Sequence, residues 1–276
     1  MSFKLAAITW SQHHSFDLKK LDDLKLIDLY AKLGLGGIEF INEHLQSLDP
    51  VYLRKIKKYA TDRELTICCL SPGNNFGNED DKAQASNEEL VIKSVDAAEI
   101  LGAPVVRVFA GWPPQGKREA LWSKAVASMK KCARYAETRG ITLVLEPHNG
   151  GGFLPDSEST IKYLNDVNSE FFKLNIDTGN YQDKDILAAI KKTMPYTKYV
   201  HFKIHTISKN GRKTSDFDLP KTMKLLAESG YNGFISIEYE GMDFLKTEDK
   251  ELKAANEAEF FPIAVKRVKE LMKKYY

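Results

Sequence analysis

The chain has 276 residues, 43% of them hydrophobic, which supplies one large core and matches the roughly 250 residues typical of an eight-fold α/β barrel. Its 40 basic residues offset 38 acidic ones to a net charge of +2, so no basic face for nucleic acid is demanded. No apolar run approaches the ~18 residues of a membrane span. Three cysteines, two of them adjacent at Cys68 and Cys69, make neither a disulfide framework nor a zinc knuckle and read as packed core thiols. The N-terminal stretch from Met1 to Trp10 has no basic leader and no small-residue cleavage site, so a cytoplasmic location is expected.

Taken in chain order, short β-rich runs alternate with amphipathic helical stretches. A strand-like run at 5–10 precedes a helical stretch at 18–33, and Gly34 ends it. Strand-like runs follow at 37–43 and 65–71, then a helix at 87–101 closed by Gly102. The next units pair a strand at 104–111 with a helix at 118–139 closed by Gly140, a strand at 141–148 with a helix at 157–168, and a strand at 172–180 with a helix at 186–193. Strands at 198–205 and 233–240 flank a helix at 219–229 that Gly230 ends, and a final helix is expected at 256–274. Strict β-α alternation over eight strands, without a linker or a change of composition, predicts one (β/α)8 TIM barrel domain across residues 1–276. An open doubly wound sheet would need a glycine-rich turn after the first strand, and Trp10-Ser-Gln-His-His14 is nothing like one. Loops at 72–81, 112–117 and 149–156 are rich in Gly, Pro and Asn, and a loop at 207–218 is strongly polar. All follow strands, which puts them at the C-terminal face of the barrel.

The strands carry the chemistry. Strands buried on both faces should read as apolar runs, yet several of these carry charge on alternate positions. In Thr142-Leu-Val-Leu-Glu-Pro-His148, Leu143 and Leu145 suit the helix layer, so Glu146 and His148 face inward. By the same alternation Arg107, Asp177, His201, Lys203, His205, Glu238 and Glu240 point into the barrel. A buried charge without a partner costs several kcal/mol, so fold stability alone does not explain such a set. Glu146, Asp177, His201 and Glu238 come from four consecutive strands. Three carboxylates and one imidazole suit one divalent metal ion, Mn²⁺, Mg²⁺, Co²⁺ or Zn²⁺, with coordination positions left for two adjacent substrate oxygens.

At these residues the sequence resembles the sugar phosphate isomerase/epimerase superfamily, the xylose-isomerase-like barrels. The matching segments are Leu145-Glu-Pro-His-Asn-Gly-Gly151, Ile176-Asp-Thr-Gly-Asn180, Val200-His-Phe-Lys203 and Ile235-Ser-Ile-Glu-Tyr-Glu-Gly241, with weaker matches at Gly37-Ile-Glu39 and Asp216-Phe-Asp218. The resemblance implies metal binding by Glu146, Asp177, His201 and Glu238. It also implies proton transfer beside a carbonyl of a sugar or sugar phosphate through a metal-stabilised enediolate, with Glu146 and Glu238 as acid and base. Lys203 and Arg107 are expected to neutralise developing charge or bind an anionic group of the substrate, with internal ion pairs to Glu39 or Glu240 as the alternative. His148 is expected at a substrate hydroxyl, although Asn149 and the following glycines equally suit a turn. Trp112 and Trp10 are placed to stack on a sugar face or to cap the core, and His205 reads as a solvated loop histidine. A related lyase, of the inosose or dehydroshikimate dehydratase type, and an endonuclease IV-like hydrolase are the alternatives. The trinuclear zinc enzymes of that last branch place a histidine three positions after the aspartate. Here that position is Asn180, and the chain has only six histidines. The expected partner is a small molecule, with no nucleic acid and no membrane; a homo-oligomer is compatible with the sequence.

Overall fold

Eight parallel strands pair in chain order and close on themselves: β1 (Leu5–Ile8), β2 (Gly37–Ile41), β3 (Thr66–Ser71), β4 (Val105–Phe109), β5 (Thr142–Glu146), β6 (Phe172–Asp177), β7 (Thr197–Ile204) and β8 (Ile235–Tyr239). The coordinates are a computed structural model and describe residues 4–148, 150–214, 218–245 and 247–276. Asn149, and Asp216 and Phe217 of the weaker motif, lie outside the described residues. The helices are α1 (His13–Asp17), α2 (Asp23–Lys32), α3 (Pro50–Thr61), α4 (Asp81–Leu101), α5 (Arg118–Thr138), α6 (Ser157–Val167), α7 (Ile186–Thr193), α8 (Leu219–Glu228) and α9 (Lys250–Tyr275). The expected barrel is what forms. No helix among the described residues is long and apolar enough to cross a membrane.

Local chemistry explains the boundaries. Aspartate caps seven helices: Asp22, Asp49, Asp80, Asp156, Asp185, Asp218 and Asp249 each accept a hydrogen bond from a backbone N–H of the first turn. Asp80 and Asp249 start α4 and α9 six residues before the expected 87 and 256. Gly102 ends α4 in the left-handed region, at φ 79°, where its N–H reaches the carbonyls of Ala98 and Glu99. The first strand stops earlier than expected, because the chain turns at Thr9 into a 3-10 segment and then α1.

Alternation sorts the strand side chains as the sequence predicts. Val106, Val108, Leu143, Leu145, Ile176, Val200, Phe202, Ile235 and Ile237 are buried in the layer between barrel and helices. Each such side chain removed from water contributes roughly 1.5–3 kcal/mol. The N-terminal half of the barrel interior is a second, small cluster of Ala6, Cys68, Cys69, Val105, Val144 and Tyr199. All three cysteines are buried free thiols, and burial raises each above its ordinary pKa. A cavity of about 460 Å³ opens at that end, lined by Cys68, Tyr199 and Phe234. It contains no carboxylate or imidazole, so the chemistry lies at the other end.

Candidate metal centre and substrate cavity

Strand register brings the charged residues together. Across β6 and β7, Asp177 pairs with His201; across β7 and β8, Lys203 pairs with Glu238. Glu146 ends β5 beside them. Ligand atoms of Glu146, Asp177, His201 and Glu238 all lie within 4.8 Å of one another, and all four residues are buried. His201 Nδ1 stands 3.3 Å from Glu146 Oε2 and 3.2 Å from Glu238 Oε2.

The imidazole is oriented from below. His201 Nε2 lies 2.9 and 3.0 Å from the two oxygens of Glu39, which also accepts from Ser71 Oγ at 2.6 Å and Ser236 Oγ at 2.8 Å. A proton on Nε2 is therefore held by Glu39, and Nδ1 faces Glu146 and Glu238; with a cation bound, a neutral ring would turn its Nδ1 lone pair to the ion, as metal-ligating histidines do. Register shifts occur on β2 between Ile38 and Glu39 and on β6 between Leu174 and Asn175. Such irregularities re-aim side chains next to sites. Asn180 Nδ2 donates to Glu146 Oε1 at 3.1 Å, and Asn175 Nδ2 donates to Oε2 at 3.4 Å. Sequence reasoning gave neither asparagine nor Glu39 these supporting roles; the even spacing of Asn175 and Asp177 on one strand was the available signal.

The donor set fits a divalent cation. Asp177 Oδ2, His201 Nδ1 and Glu238 Oε2 are buried and make no well-aligned hydrogen bond, only ion-pair contacts to Lys203, to Glu146 or to one another, and all three belong to the converging set. Without a cation their charges conflict. Burial pushes the Asp177 carboxyl well above the usual carboxylate range; Lys203 offsets this in part, while Glu238 and Glu146 add to it. Burial acts the same way on Glu238, but Lys203 and His201 outweigh it and hold that carboxyl well below its ordinary value. For His201 burial works downward, yet Glu39 and Glu146 keep it well above the ordinary imidazole value. A cluster that must retain protons when metal-free is one that a divalent ion would relieve.

The two cations lie among carboxylates. Lys203 Nζ is 3.0 Å from Asp177 Oδ2, 2.8 Å from Glu238 Oε1 and 2.8 Å from Glu240 Oε1. Arg107 Nε is 3.3 Å from Glu146 Oε2, its Nη1 donates to the Pro72 carbonyl at 3.2 Å, and its guanidinium covers the Phe109 ring at 3.9 Å. His205 is partly buried, with Nε2 3.5 Å from Glu240 Oε2, which corrects its reading as a solvated loop residue.

Above the cluster a cavity of about 410 Å³ opens at the barrel mouth. Of the expected site residues, Glu146, His148, His201, Lys203, Glu238, Arg107 and Trp112 line it, and Asp177 lies in the cluster beneath. Trp112 and Phe109 pack edge-on against the His148 ring, at 5.2 and 5.6 Å. Trp10 lines the opposite wall, 39% exposed and stacked on His13 at 3.9 Å. His13 and His14 are held by Asp243, which Lys253 also pairs at 2.9 Å.

Trp112 is fixed by backbone. Gly111, at φ 109°, bonds through its carbonyl to Phe153 N, while Trp112 N donates to Asn75 Oδ1 at 2.8 Å. A Cβ at Gly111 would collide with Asn75 Oδ1 and stand 2.5 Å from Phe76 N. Gly111→Ala should therefore cost roughly 1–3 kcal/mol in urea unfolding and displace Trp112. An unchanged midpoint and unchanged tryptophan emission would show that the loop tolerates a side chain.

Comparison with known proteins completes the assignment. The profile of one family, described as xylose isomerase-like TIM barrel, matches residues 27–263. The chain belongs to the xylose isomerase-like TIM barrel family. A search of curated proteins returns no match. Solved structures with the same fold include D-psicose 3-epimerase with D-tagatose from Clostridium cellulolyticum H10, 17% identical, with a TM-score of 0.78 over 99% of both chains. D-allulose 3-epimerase from Methylomonas sp. with D-allulose is 19% identical, with a TM-score of 0.77 over 99% of this chain and 97% of that one. The E. coli 3-keto-D-glucoside 4-epimerase is 13% identical, with a TM-score of 0.74 over 99% and 100%. At these identities the likeness is one of fold.

Proposed function

We propose that this xylose isomerase-like barrel is a divalent-metal-dependent isomerase or epimerase of open-chain sugars or sugar phosphates. The observation that carries the reading is the convergence of the buried donor atoms of Glu146, Asp177, His201 and Glu238 within 4.8 Å of one another beneath an aromatic-walled cavity. The fold shared with structures named as D-psicose, D-allulose and keto-glucoside epimerases supports the same direction. Those four residues would hold one Mn²⁺, Mg²⁺, Co²⁺ or Zn²⁺ ion. When bound, such an ion polarises a carbonyl and its neighbouring hydroxyl and offsets negative charge that develops there.

The side chains supply the proton chemistry. Glu146, from β5, and Glu238, from β8, approach the same His201 nitrogen on β7 from opposite sides along the sheet, so a substrate carbon above it has a carboxylate within reach on two sides. One removes a proton next to the carbonyl and the other returns one. Arg107 beside Glu146 and Lys203 beside Glu238 favour the ionised, basic form of whichever carboxylate abstracts; the other enters the cycle protonated to return a proton, and the pair resets by exchange with solvent. His148 and Trp112 orient the sugar, one toward hydroxyls and the other against a C–H face.

The test is solvent exchange. With Mn²⁺ added, a panel of keto- and aldo-sugars in deuterated water should yield substrate or product carrying deuterium next to the carbonyl. A rise in ultraviolet absorbance without exchange would replace this reading with a dehydratase, and cleavage of abasic DNA would replace it with a hydrolase.

A further inference from the structure

The charges around the cavity are unbalanced in a way that bears on the substrate. Six carboxylates face the cavity or the cluster beneath it: Glu39, Glu43, Glu146, Asp177, Glu238 and Glu240. The permanently charged cations among the described lining residues are Arg107 and Lys203, and both already contact carboxylates. Metal coordination keeps the ligand carboxylates ionised and His201 neutral. A divalent ion then adds two positive charges, and the carboxylates still exceed the cations. Glu43 is exposed at the rim and Glu240 stands higher on the wall than the ligand set, so this excess negative charge faces the opening. The wall also includes Ile8, Ile41 and Gly73, His148 packed edge-on by Phe109 and Trp112, and the rings of Trp10, Phe109 and Trp112, which offer faces to C–H groups.

Resting on the function proposed above, we infer that the substrate carries no phosphate or carboxylate: the site selects a neutral polyhydroxy carbonyl compound. A phosphate at the far end of an open-chain sugar would need a permanent cation or a cluster of N–H donors at the rim, and the described lining there presents Glu43, indole rings and a single imidazole, His148. Hydroxyl groups meet the opposite situation. Carboxylates accept hydrogen bonds from them, and aromatic faces cover the carbon skeleton between. The same excess charge that repels an anionic sugar favours entry of the divalent ion.

The inference is tested with unreactive ligands, so that its outcome does not depend on turnover. Calorimetry of the Mn²⁺-loaded protein compares sorbitol with sorbitol 6-phosphate. Sorbitol should bind at least about tenfold more tightly, the scale expected when a dianion meets net negative charge across a partly solvated site. Raising salt should narrow the gap by screening the phosphate and leave sorbitol unaffected. In Glu43→Lys, a change at an exposed rim position, the preference should shrink or reverse. Tighter binding of sorbitol 6-phosphate to the wild-type protein overturns the inference, and so does failure of both ligands to bind. Deuterium exchange is scored separately: exchange into a sugar phosphate but not into its neutral parent would sink the inference and leave the isomerase reading standing, whereas absence of exchange from every sugar sinks that reading alone.

Discussion

Glu238→Gln should abolish turnover while the barrel stays folded. Glu238 offers Oε2 to the cluster and Oε1 to Lys203 Nζ at 2.8 Å, so the substitution removes a ligand, a candidate acid/base and half of an ion pair. General acid–base catalysis alone accounts for about 10²–10⁴-fold in rate. Metal affinity should fall by more than the roughly 10–100-fold lost with a mere supporting hydrogen bond. The fold survives because glutamine matches the shape and the Lys203 ammonium keeps Asp177 and Glu240. Turnover, Mn²⁺ calorimetry and far-ultraviolet dichroism on one preparation decide the matter. Full activity in this variant would remove the site from the mechanism.

Lys203→Met should produce the largest loss of stability, and only in the metal-free protein. The ammonium is buried among Asp177, Glu238 and Glu240, and removing one member of such a set leaves uncompensated charge at a cost of about 3–5 kcal/mol. Methionine fills similar volume, so little of the loss would come from a cavity. Denaturant unfolding in EDTA should show the full deficit. Saturating Mn²⁺ should restore much of it, because the ion neutralises two of the same carboxylates. Equal stability of wild type and variant in EDTA would mean that the ammonium is not their counterion.

The barrel was legible because each strand keeps its apolar positions on the helix side, and charged residues stand out only on the other. Parity alone placed Glu146, Asp177, His201 and Glu238 on adjacent strand ends, and the structure brings their donor atoms together. Parity does not say what a charge touches. Lys203 and Arg107 read equally as groups available to a substrate or as internal ion pairs to Glu39 or Glu240; the Lys203–Glu240 pair forms, while register also sets Lys203 opposite Glu238, and Arg107 folds onto Glu146. The roles of Glu39 and Asn175 were hidden further, since both stand at register shifts that no alternation pattern encodes. Helix starts were misplaced where exposed first turns carry no apolar period, so Asp80 and Asp249 gave the only cue. Thr9 and Trp10 look like strand residues, yet the chain turns at Thr9 into a 3-10 segment, which sets Trp10 at the cavity mouth.

Glu39 also bears on the order in which the molecule assembles. It lies 162 positions before His201 and 197 before Ser236, so its contacts span most of the chain. Loops of that length close late, after local β-α units have formed. Neither half of the chain can orient His201 alone: β2 brings the carboxylate and β7 brings the ring. Metal affinity would thus arise at ring closure rather than accumulate unit by unit. If the cluster takes up an ion, its acquisition would report on that last step, and a fragment ending before β7, lacking His201, would have no complete site to fill.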